Sequence, residues 1–136
     1  LWVAEVALRE AYEQTPGRAG EAPTLKATLK TTDGVGWHAQ AHVSGLDLKP
    51  GTDYVVTFRG KADRELTVGV DSRLDRPDWR FLGLGTSVKL TPEWREYSLG
   101  FRATDPEPNH GRIGFVLGEN VGTVEIADFR VRPGRR

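Results

Sequence analysis

A single all-β domain, a β-sandwich or jelly roll of two antiparallel sheets, is what the sequence predicts, and three observations carry it. The chain has 136 residues, the length of one domain. Its apolar residues recur at every second position in short runs, the period of a strand with one face on a core and one on water. Its 16 glycines and 8 prolines stand between those runs as turns. About eight to ten such strands at regular spacing make a sandwich.

Taken in order, residues 1–14 fit two periods. Leu1, Ala4, Leu8 and Tyr12 form a helical stripe, whereas Trp2, Ala4, Val6 and Leu8 form a strand face. With β patterns everywhere downstream, the stretch is read as a strand. Residues 17–23 form a loop. Residues 24–30 alternate strictly, with Leu25, Ala27 and Leu29 opposite Lys26, Thr28 and Lys30. Asp33-Gly34 turns the chain into a run over residues 37–43. Lys49-Pro50-Gly51-Thr52 is a turn with proline where a fixed φ helps, and it leads to Tyr54, Val56 and Phe58 on one face. Leu66, Val68 and Val70 come next, then a polar loop over residues 73–78. Residues 86–90 and 95–102 follow, the latter aligning Tyr97, Leu99 and Phe101. Residues 105–111 are rich in turn formers. Ile113, Phe115 and Leu117, then Val124 and Ile126, complete the set near Val131. The module therefore spans residues 1–131, with 132–136 a linker or tail. Gly83-Leu-Gly85 reads as a bulge or a close approach of two backbones.

Composition narrows the function. Lys plus Arg and Asp plus Glu number 19 each, so the formal net charge is zero. Sequence-independent binding to nucleic acid or an anionic membrane needs a clustered positive field, which this balance does not provide overall. There is no cysteine, which removes disulfides, thiolate metal sites and a cysteine nucleophile. No apolar run approaches the ~18 residues of a membrane span. The chain begins at Leu1 and has no Met, which reads as a processed chain or an excised module.

Catalytic signals are weak. Ser44, Ser72, Ser87 and Ser98 lack a nucleophile-elbow context, and the sequence gives no sign that His38, His42 or His110 partners any of them in a triad. His38-x-x-x-His42 has the spacing of a helical metal pair. In a strand, however, four residues put the two imidazoles about 13 Å apart, and both read as solvent-facing. With 19 acidic residues, some pair meets the glycosidase spacing by chance. The chain is read as a non-enzyme.

The aromatics say more. Trp37, after Gly34-Val-Gly36, and Trp79, between Asp78 and Arg80, sit at strand edges or loops among polar neighbours. An exposed indole gives a pyranose C–H face a flat apolar surface while polar neighbours meet its hydroxyls. Trp94 is expected to cap a strand end and pack inward. Arg59, Asp71 and Arg112 fall opposite the core positions, as a solvated face or the lining of a cleft.

Trp37-His-Ala-Gln40, followed by Leu46-x-Leu48-x-x-Gly51-x-x-Tyr54-x-x-x-Phe58-x-x-Lys61-Ala62, resembles the central signature of carbohydrate-binding modules of the family four/nine and twenty-two type. Leu90-Thr-Pro-Glu-Trp94-x-x-Tyr97-x-x-x-Phe101 is similar to their Thr-x-Glu-Trp strand. Arg112-Ile-x-Phe-x-Leu-Gly118 and Gly122-Thr-Val-x-Ile-x-Asp128-x-x-Val131 are similar to their closing strands. The resemblance implies a jelly roll whose concave face or cleft holds an oligosaccharide, with no catalysis of its own. It also implies secretion, attachment to a glycoside hydrolase or other secreted protein, and often a structural calcium. Carried onto this sequence, Trp37 and Trp79 stack on sugar rings and Gln40 and Arg112 bond hydroxyls, and the reading of the residues themselves adds His38 and Asp71 as hydroxyl partners. A neutral β-linked glucan or xylan is the expected ligand, and the module is expected to act as a monomer. Calcium rests on Asp128 alone, because the chain begins about where the family's metal-holding first strand ends. The alternative is a structural or protein-interaction sandwich with its tryptophans at an interface.

Overall fold

The computed structural model describes residues 2–6, 12–15, 24–29, 39–117 and 119–134. Among these, every regular element is a strand: β1 (Trp2–Val6), β2 (Tyr12–Thr15), β3 (Thr24–Leu29), β4 (Ala39–Leu46), β5 (Asp53–Ala62), β6 (Leu66–Leu74), β7 (Phe81–Leu90), β8 (Arg95–Arg102), β9 (Gly111–Val116) and β10 (Gly122–Pro133). They form two five-stranded sheets, β1-β4-β9-β6-β7 and β2-β3-β10-β5-β8. Every strand pairing is antiparallel. This is the predicted sandwich, in jelly-roll order.

Alternation places the core. Tyr54, Val56, Phe58 and Ala62 point inward from β5, Leu66, Val68, Val70 and Leu74 from β6, and Ile113 and Phe115 from β9, all buried. Phe58 of the second sheet meets Phe115 of the first edge-on at 5.0 Å, and its other neighbour, Tyr97, stacks at 5.1 Å. Apolar burial at this density is the main stabilising term.

Several boundaries differ from the sequence reading. The single opening strand is two, β1 in one sheet and β2 in the other. β6 continues through Leu74, into the expected loop, and β7 begins at Phe81 rather than Thr86. The reason lies in Phe81-Leu-Gly83-Leu-Gly85, where Leu82 and Leu84 are buried and the alternating positions carry Phe or Gly. Glycine masks a period-two pattern because it contributes nothing to the hydrophobic count.

Gly83 is also the close approach anticipated there. Its φ is +123°, and a Cβ at this position would lie 2.1 Å from the Arg102 carbonyl oxygen. The Lys49–Thr52 turn closes as expected, with Gly51 at φ 71° and the Thr52 amide donating to the Lys49 carbonyl. Ser72, one of the serines weighed as a nucleophile, is fully buried and accepts a hydrogen bond from the Leu84 amide at 2.8 Å. Its role is to join β6 to β7 where their register shifts. β10 runs to Pro133, and the Gly134 amide still donates to the Asp53 carbonyl.

Candidate functional site: a glycine-floored groove on the first sheet

The outer face of the first sheet is set by register. Residues opposite one another share a face, so Gln40 of β4 aligns with Val116, Gly69 and Ser87 across β9, β6 and β7. One step along, His42 aligns with Gly114, Asp71 and Gly85. A further step brings Arg112, Arg73 and Phe81 together.

This grid gives Asp71 an unusual setting. Gly114 and Gly85 flank it on the neighbouring strands, and Gly69 precedes it by two on its own strand. The absent side chains at Gly69 and Gly85 leave a groove of about 360 Å³ lined by Gly69, Asp71, Arg73, Gly85, Val116 and Glu119, among others, while the space at Gly114 is taken by His42. Arg73 Nε lies 3.4 Å from the Asp71 carboxylate, and both side chains remain partly open to solvent. The ion pair neutralises the floor while leaving Asp71 lone pairs for hydroxyl donors.

Aromatic side chains stand on the adjoining loop and strand. Trp79 and Phe81 are 46% and 48% exposed, the most exposed large hydrophobic side chains among the described residues. The Phe81 ring extends over Gly85, where a Cβ would approach its Cε2 to 3.0 Å. Trp79 sits at φ 47°, a region bulky residues seldom adopt. Strain of this kind costs about 1–3 kcal/mol and persists where the surroundings impose it.

Those surroundings are explicit. The loop over residues 75–80 is closed by the Leu74 amide on the Arg80 carbonyl and the Trp79 amide on the Arg76 carbonyl, at 2.8 and 2.7 Å. Arg73 donates to the Trp79 carbonyl. Arg80 anchors the loop to the neighbouring turn through the Asp105 carbonyl and Glu107, and also bonds Asp78. Arg76 reaches His110 and Glu107 from the same side. The guanidinium of Arg112 lies 5.0 Å from the Trp79 ring centroid, a cation–π contact.

The predicted site residues therefore divide. Asp71 lines the groove, and Trp79 stands on the adjoining loop, its carbonyl bonded by the groove residue Arg73. Gln40 lies on the same face, half-buried on β4, two strands from Gly69. Arg112 shares the face but is 8% exposed, beneath the indole and 3.9 Å from Asp75, so it orients Trp79. Trp37 and His38 lie outside the described residues.

His42, expected in solvent, is 4% exposed. It sits beside Gly114, where a Cβ would come within 2.8 Å of its own, so the missing side chain lets it settle against the sheet. Trp94 reverses the expectation of inward packing. It is 38% exposed on the second sheet, with Arg59 and Lys61 about 5 Å from its ring centroid.

Asp128 does not fit a calcium. It lies in the β10 bulge at φ 54°, and its carboxylate receives Arg59 Nε at 2.6 Å. A guanidinium already fills the cationic place. Among the described residues no three His, Cys, Asp or Glu side chains gather as metal ligands.

Sequence reasoning missed Phe81, Arg73 and the three glycines. Phe81 and Arg73 fell in or beside a presumed loop. Two of the glycines gave a usable signal, since Gly69 and Gly114 each occupy an outward position between two core residues.

A larger depression, about 570 Å³, lies on the outer face of the second sheet. It is charged, and its two aromatics, Phe58 and Tyr97, belong to the interior packing. The first-sheet groove is the less charged of the two, with exposed Trp79 and Phe81 on the adjoining loop and strand.

No protein-family model matches the chain, and no curated protein does. Solved structures do match. A family 4 carbohydrate-binding module aligns over 98% of this chain and 86% of its own, with a TM-score of 0.75 and 23% identity. The N-terminal cellulose-binding domain of Cellulomonas fimi β-1,4-glucanase C aligns over 99% and 90%, with a TM-score of 0.72 and 19% identity. The family 22 xylan-binding domain of Paenibacillus barcinonensis Xyn10C covers 99% of this chain and 86% of its own, at 0.62 and 10%. The chain thus has the jelly-roll fold of carbohydrate-binding modules, as its motifs suggested.

Proposed function

We propose that this chain is a non-catalytic carbohydrate-binding module that holds a neutral β-linked glycan, such as xylan or β-glucan, across the outer face of β1-β4-β9-β6-β7. The observation that carries the reading is the open groove around Asp71, lined by Gly69 and Gly85, with the exposed Trp79 and Phe81 on the adjoining loop and strand. Pyranose rings present axial C–H groups to an aromatic face and hydroxyls at their rim. Trp79 and Phe81 supply the faces, and Asp71 and Gln40 supply polar partners for the rim. The Asp71–Arg73 pair cancels charge on the floor, and with Glu119 also lining the groove no positive charge is left over to attract an anion.

Magnitudes agree with a modest binder. Stacking of a ring on an aromatic side chain contributes ~1–3 kcal/mol in the analogous base-stacking case. Two stacks and a few hydrogen bonds at ~0.5–1.5 kcal/mol each, less the cost of association, give micromolar to millimolar affinity. In this reading the module works as a monomer in a secreted bacterial protein and brings an attached catalytic domain to its polymer.

The test is a calorimetric and tryptophan-fluorescence titration with xylo- and β-gluco-oligosaccharides of increasing length. Binding that strengthens with length, together with no release of shorter products, supports the reading. Absence of binding to either series, with no retention on the insoluble polymers, points instead to a structural spacer.

A further inference from the structure

We propose a second saccharide site on the outer face of the other sheet, one that takes a carboxylate-bearing sugar, a uronate. Past Ile126, β10 no longer pairs with β3 and is bordered by β5 alone among the described residues. The register then shifts between Ala127 and Arg130 around the left-handed Asp128. This bulge re-aims the strand, so that Arg130 and Arg132 stand side by side on the outward face, both exposed. Beneath them, Thr57 of β5 and Ser98 of β8 are register partners with short hydroxyl side chains. The result is the depression of about 570 Å³, walled by arginine and floored by hydroxyls.

The charge pattern points to a carboxylate, and that a sugar carries it rests on the carbohydrate-binding function proposed above. Arg59 is engaged by Asp128 at 2.6 Å, whereas Arg130 and Arg132 form no ion pair among the described residues. Arginine forks match a planar carboxylate in two-point geometry. Glu96, opposite Arg59 on β8, adds a carboxylate to the rim. Three arginines therefore face two carboxylates, leaving one positive charge over. A densely charged polyanion meets Glu96 and Asp128 with repulsion. A chain with a single carboxylate per several sugars meets two free guanidiniums, two hydroxyls and, in Glu96, an acceptor for its own hydroxyl groups.

The site is separate from the neutral-glycan groove, since it lies on the opposite layer of the sandwich. The experiment uses xylotriose bearing one glucuronate, and the same oligosaccharide reduced at that carboxyl to the neutral sugar. Affinity is measured by calorimetry at low and high salt, and the site is located by amide chemical-shift changes. The wild-type chain is expected to prefer the acidic ligand by roughly tenfold at low salt, with shifts at Thr57 and Ser98. Arg130→Gln with Arg132→Gln is expected to abolish that preference, and Trp79→Ala to leave it in place. Both arginines are exposed, so an unchanged thermal midpoint will show that the double variant folds. Equal affinity for the two ligands overturns the proposal. So does a preference that survives in the double variant, or one lost with Trp79→Ala, which would place the carboxylate in the first-sheet groove.

Discussion

Trp79 combines an exposed indole with a backbone that resists a side chain of its size. Replacing it with glycine removes both features, relieving the φ 47° strain and deleting the stacking face. We expect Trp79→Gly to lower oligosaccharide affinity at least tenfold, about 1.4 kcal/mol, while the unfolding free energy stays within about 1 kcal/mol of wild type because lost contact with Arg112 offsets relieved strain. A large loss of stability would show that the residue is there for packing. The glycines give a sharper contrast. At Gly85 a new side chain meets only the movable Phe81 ring, so Gly85→Val is expected to fill the groove and weaken binding with little unfolding. At Gly83 it meets the Arg102 carbonyl, so Gly83→Ala is expected to cost about 3 kcal/mol or more in denaturant unfolding. The sequence made Trp79 and Asp71 legible because a tryptophan among charges and an acid opposite valines are conspicuous. It hid Phe81 because the neighbouring glycines erased the alternation that marks a strand.

Elements decide how rigidly these side chains are presented. The 75–80 loop carries Trp79 but is held from outside, chiefly by Arg80 on the Asp105 carbonyl and Glu107. Arg80→Ala is therefore expected to weaken glycan binding several-fold without touching the ligand, and to speed hydrogen exchange at the Trp79 amide. Unchanged exchange would mean the loop holds itself. Nearby, Lys49 hydrogen-bonds Asp47 and holds its carboxyl below the usual aspartate value, and the Asn109 amide adds to the effect. A carboxylate with a depressed folded value stabilises the native state above the ordinary aspartate range, and that contribution is lost as pH falls through the folded value. Asp47→Asn is expected to flatten the acid limb of stability slightly, as befits an exposed pair. Strand runs such as 24–30 and 53–59 were readable because each buries one face. The split of the opening stretch between two sheets was not, because a change of sheet leaves no mark on period-two spacing.

At the scale of the whole molecule, one aromatic-centred core separates two outer faces that differ in chemistry. Phe58 and Phe115 join the layers edge-on, so Phe115→Ala is expected to cost about 3–5 kcal/mol in unfolding free energy and to disturb both faces together. The zero net charge conceals how unevenly charge is placed, near neutral on the glycine-floored face and arginine-rich along the end of β10. Composition could not reveal this local asymmetry, which arises only once the bulge at Asp128 turns Arg130 and Arg132 outward. Amide and indole chemical shifts followed during titration with neutral xylohexaose and cellohexaose decide where a glycan sits. Saturable shifts at Gly69, Asp71, Gly85, Gly114 and the Trp79 indole, with β5 and β8 unmoved, are the expected result. Shifts confined to the second sheet, or none at saturating ligand, would contradict it.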